Sequence, residues 1–79
     1  MIVVKSTCKL GNRAFVKIAD GRVTCTLANG VPASLSYAGI KNDMIAETEI
    51  RLSRCDSADD ALRIIEDARY SHYRHEVFS

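Results

Sequence analysis

Three turn dipeptides, Gly11-Asn12, Asp20-Gly21 and Asn29-Gly30, cut the first half of the chain into short segments of alternating polarity, which leaves it little choice but antiparallel strands. Asp-Gly and Asn-Gly supply the positive φ that two-residue hairpin loops demand. Residues 2–10 put Ile2, Val4, Ser6, Cys8 and Leu10 on one face and Val3, Lys5, Thr7 and Lys9 on the other. Residues 13–19 set Ala14, Val16 and Ile18 against Arg13, Phe15 and Lys17, and residues 22–28 set Val23, Cys25 and Leu27 against Arg22, Thr24 and Thr26. Pro32, which has no ladder donor, suits the start of a short edge strand over 32–38, followed by a loop over 39–43.

Residues 45–54 read both ways. Ala46, Glu47 and Glu49 favour a short helix, whereas Thr48, Ile50 and Leu52 alternate as a strand does, and the alternation decides for a fifth strand. Ser57 is an N-cap with Asp59 and Asp60 in the first turn behind it, and Ala58, Ala61, Leu62, Ile65 and Ala68 recur at helical spacing. One helix is expected over 57–75, with Arg63, Asp67, Tyr70 and Arg74 on its polar side. The expected fold is α+β: an antiparallel sheet of four or five strands with one C-terminal α-helix packed on one face.

With 79 residues the chain has room for one domain, 1–79, and one thin core. Its start, Met1-Ile2-Val3-Val4-Lys5, lacks the basic segment and apolar run of a signal peptide, and no window is apolar enough to span a bilayer. Three cysteines without C-x-x-C spacing fit neither a disulfide framework nor a structural zinc site, so a cytoplasmic protein with free thiols is expected. The net charge of +1 hides an asymmetry. Residues 1–54 carry eight Lys/Arg against four Asp/Glu, and residues 55–79 carry three against six.

Catalytic motifs are missing. The glycines at 11, 21, 30 and 39 are scattered among turns rather than gathered before a helix, and no G-x-S-x-G or H-E-x-x-H run occurs. His72 and His75 could share a metal at helical (i, i+3) spacing with a cysteine from the sheet as third ligand, but the ligand count and geometry of a site are both missing, and partly buried or helix-end roles explain them better. Cys55, just ahead of a helix N-terminus, has the setting of an activated thiolate but neither base nor oxyanion site. No enzyme, metal or cofactor is expected.

Two surfaces remain. Lys5, Lys9, Arg13, Lys17 and Arg22 share the outer sheet face with Phe15, and a single helix covers only one side of a sheet, so this face is free for a partner. Cations around an aromatic suit phosphates and stacked bases; the same residues also keep a bare strand soluble. The second surface is the acidic helix side, Asp59, Asp60, Glu66 and Asp67 near an exposed Tyr70 and Tyr73, which could meet a basic groove or simply solvate the helix with pairs such as Asp59 to Arg63.

In size, in its lack of catalytic residues and in its sheet-plus-helix layout, the chain resembles the small inhibitor proteins of phages and mobile elements, anti-CRISPR proteins among them. The resemblance implies a protein that binds a bacterial defence complex and blocks nucleic-acid access or nuclease action. Such proteins share no motif, so no site residue is carried over. The expected function is a non-enzymatic, protein-binding inhibitor, monomeric or a small homo-oligomer, with a nucleic-acid-binding regulator using the basic sheet face as the alternative.

Overall fold

The computed structural model covers residues 1–79 and has an α+β architecture: a four-stranded antiparallel sheet with two helices packed on one face. Strands β1 (Ile2–Cys8), β2 (Arg13–Ala19) and β3 (Arg22–Leu27) follow the expected alternation, and Asp20, the only non-glycine residue with positive φ, forms the β2–β3 turn with Gly21. β1 stops at Cys8, so Lys9 and Leu10 lie in the turn, and Leu10, expected to face inward, is 86% exposed.

The expected fourth strand is absent. Pro32 makes one isolated bridge to Thr26, and Leu35–Ala38 forms a 3-10 turn, because the Ser34 side chain accepts from the Ser36 backbone and Gly39 closes the turn in the left-handed region. Residues 45–54 do not form a strand either. Ile45–Ser53 is helix α1, in which Thr48 and Leu52, four residues apart, are buried while Ile50 between them stays exposed. Period 3.6 overrides period two here because α1 packs against β2, β3 and the next helix rather than joining the sheet.

That next helix, α2 (Ala58–Ala68), starts at Ser57 as expected, with its side chain accepting from Asp60 N–H, but ends seven residues before His75. Arg69 turns extended, and Tyr73–Phe78 becomes β4, antiparallel to β1. The helical reading failed because no Gly or Pro marks the stop and the partner strand lies at the other end of the chain. The buried face of α2 is Ala61, Ile64, Ile65 and Ala68; Ile64 was not expected there and Leu62 is only half-buried.

The strand order β3-β2-β1-β4 puts the α1–α2 crossover under the sheet from one edge to the other. Four inward residues, Cys25, Val16, Val4 and Val77, form one row across all strands, and the core closes beneath them with Leu35, Ile40, Leu52 and Ile65. No helix is long and apolar enough to cross a membrane.

Candidate functional site

Both helices lie on the inner side, so the outer face of the sheet is uncovered, and the strand registers fix what it carries. One row runs Thr26, Phe15, Lys5, Glu76; a second runs Thr24, Lys17, Val3, Phe78; a third runs Arg13, Thr7, Arg74; and Arg22 closes the β3 end beside Ala19. Five of the six residues expected on this face, Lys5, Arg13, Phe15, Lys17 and Arg22, are brought together on it. Lys9 instead sits in the β1–β2 turn at its rim.

Sequence reasoning missed what β4 adds to this face: Arg74, Glu76 and Phe78, the last 52% exposed. The signal lies in the alternation of Tyr73, His75 and Val77 with Arg74, Glu76 and Phe78, but the expected helix over 57–75 takes its first half and leaves too little to read as a strand. Glu76 is the face's one carboxylate, 3.4 Å from Lys5, so Arg13, Lys17, Arg22 and Arg74 have no acidic partner. Phe15 is half-buried between Lys5 and Thr26, with its strand neighbours Arg13 and Lys17 about 7 Å away at two-residue spacing.

A groove opens at the end of the sheet beside Arg13. Cys8, Lys9, Leu10, Leu27, Tyr37, His72 and Tyr73 line it together with Asn12, and no acidic residue is among them. Leu10 and Tyr37 stand out into solvent, Tyr37 at 57% exposure, while Tyr73, expected to be exposed, is half-buried with its ring against Gly39.

The acidic surface is less concentrated than expected. Asp60, not Asp59, pairs with Arg63 at 3.1 Å, Arg51 of α1 reaches Asp67 at 3.6 Å, and Asp59/Asp60 and Glu66/Asp67 lie at opposite ends of α2 with Tyr70 beyond the last turn. Both clusters lie on the helical side, away from the basic face.

The helical spacing behind a His72/His75 metal pair does not occur. His72 is exposed ahead of β4, and His75 points inward, bonded through Nε2 to the Ala38 carbonyl at 2.7 Å. No group of three or more His, Cys, Asp or Glu residues is arranged to hold a metal ion. Burial, then Asp60 and Asp56, push the Cys55 thiol above its ordinary value, opposite to the activation its helix-end position suggested. All three cysteines are free thiols.

No protein-family model, curated protein or solved structure matches this chain.

Proposed function

We propose that this chain is a non-enzymatic binding module that holds single-stranded nucleic acid on the uncovered face of its sheet. The observation that carries this reading is the concentration of Lys5, Arg13, Lys17, Arg22 and Arg74 around Phe15, with Glu76 as the only acid, on a surface that no helix covers. Spaced cations track a phosphate backbone, and the half-buried Phe15 ring on the open face offers a surface on which any base can stack, a combination that suits sequence-tolerant binding. The reading places the protein in the cytoplasm, where three free thiols are stable. The test is direct titration of single-stranded DNA and RNA oligonucleotides at low and moderate salt; no binding at low salt overturns it.

The end groove favours a second reading, a protein-directed inhibitor. Leu10, Tyr37, His72 and Tyr73 between Lys9 and Arg13 offer apolar and aromatic anchors with a cationic rim, a composition in which a few residues carry most of the affinity. A bacterial defence complex is the partner suggested by the resemblance to phage inhibitors. Leu10→Asp with Tyr37→Ala would then abolish inhibition of host defence while leaving oligonucleotide binding intact; the reverse pattern in Lys17→Glu with Arg22→Glu, both outside the groove, supports the nucleic-acid face.

A further inference from the structure

The two edges of the sheet are finished differently. The outward-facing groups of the C-terminal half of β3 are used: Leu27 N–H donates to Val31 C=O, Ala33 N–H donates to Cys25 C=O, and Pro32 bridges Thr26. On β4, the Tyr73 N–H donates to Tyr70 C=O and the Tyr73 carbonyl accepts from Arg69 Nη1 at 3.0 Å, so Tyr73 faces away from β1. In an antiparallel ladder alternate residues face the same side. The N–H and C=O groups of His75 and Val77 therefore point out along a bare edge, while Arg74, Glu76 and Phe78 pair with β1.

We infer that a second copy of the chain docks on this edge, β4 against β4, joining two sheets into one of eight strands. The side chains select the register. Opposed residues must lie on the same face, which leaves three symmetric pairings about the middle of the strand: Arg74 opposite Arg74, Arg74 opposite Glu76, or Glu76 opposite Glu76. Only the second sets opposite charges face to face, and it does so twice. It places His75 against its symmetry mate as the hydrogen-bonded pair on the two-fold axis, and each Glu76 then sits between Lys5 of its own chain and Arg74 of the other copy. The Arg69 guanidinium on the Tyr73 carbonyl limits the ladder beyond that point, so the association is short and concentration-dependent.

The two-fold axis runs perpendicular to the sheet, so both uncovered faces lie on the same side. Two basic surfaces become continuous, and the carboxylate that interrupts each is neutralised from both flanks. This doubling rests on the nucleic-acid reading for its purpose, but the dimer does not, and the experiment separates them by omitting nucleic acid.

Sedimentation of the full chain over a concentration series should show the mass doubling. Arg74→Glu alone sets a new carboxylate against Glu76, and Glu76→Arg alone sets arginine against arginine; each should weaken dimerisation roughly tenfold or more through two like-charge contacts. Both sites are exposed, and unchanged circular dichroism and melting confirm folding. Mixing these two monomeric variants should restore a dimer, since each then opposes the other's charges, as should the double variant Arg74→Glu with Glu76→Arg. A wild-type chain that stays monomeric at millimolar concentration, or single variants that dimerise like wild type, overturns the inference. Monomeric wild type that still binds oligonucleotide would overturn the dimer and leave the proposed function standing.

Discussion

Ser6 and His75 face each other across the β1–β4 ladder on the buried side of the sheet, and each holds a buried polar atom without a partner, Ser6 Oγ and His75 Nδ1. Because His75 Nε2 donates to the Ala38 carbonyl, Nδ1 is left as the bare acceptor of a neutral imidazole. Burial pushes the His75 pKa below its ordinary value, with Arg69 acting in the same direction against the Ala38 hydrogen bond and Glu66. A depressed histidine pKa means that the unfolded chain takes up the proton first. Stability is therefore complete above the unfolded value of about 6.5 and falls as pH drops through it toward the folded value. Urea unfolding between pH 7.5 and 5 should show this loss, and His75→Gln, which keeps a donor for Ala38, should flatten it.

Gly39 is the one glycine at which an added Cβ would strike another residue, the ring of Tyr73. Gly39 has φ +86°, and a Cβ there would collide with Cγ of the Tyr73 ring. Gly39→Ala combines left-handed strain of about 1–2 kcal/mol with overpacking of similar size, for a loss of roughly 2–4 kcal/mol in chemical denaturation. Gly30→Ala meets open space at φ +88° and should cost only the backbone part. Equal losses at the two positions would show that the Tyr73 ring yields.

The identity of α1 is testable in the same way. Leu52 is fully buried and Ile50 is 53% exposed, so Leu52→Ala should cost about 2–5 kcal/mol and Ile50→Ala under about 1. A strand would have made the two equivalent. Ile65→Ala in α2 belongs with Leu52, and Asp67→Ala, whose 3.6 Å partner Arg51 is solvent-exposed, belongs with Ile50.

Legibility in the sequence followed the range of the forces involved. The β2–β3 hairpin was readable because Asp20-Gly21 encodes its turn within two residues, and the inward set Val4, Val16 and Cys25 followed from period two. The start of α2 was readable because Ser57 caps it locally. β4 was not, since its alternation acquires meaning only through pairing with β1, at the far end of the chain. The basic face shows the same division. Lys5, Arg13, Phe15, Lys17 and Arg22 were found through local alternation, whereas Arg74 and Phe78 depended on a long-range strand and Lys9 on where β1 ends.

Counterion release gives the basic face its sharpest test. Each phosphate neutralised on a single strand contributes about −0.7 to the slope of log affinity against log salt, so engagement of four or five of Lys5, Arg13, Lys17, Arg22 and Arg74 predicts a slope of about −3. Arg13→Ala with Lys17→Ala should reduce its magnitude by about 1.4 and weaken all sequences alike. Phe15→Ala should instead leave the slope unchanged and remove about 1–3 kcal/mol of stacking. Charge and ring thus separate in one salt titration. If Phe15→Ala has no effect on oligonucleotide affinity while Leu10→Ala or Tyr37→Ala does, the binding surface is the end groove and the open face of the sheet is only its solvated flank.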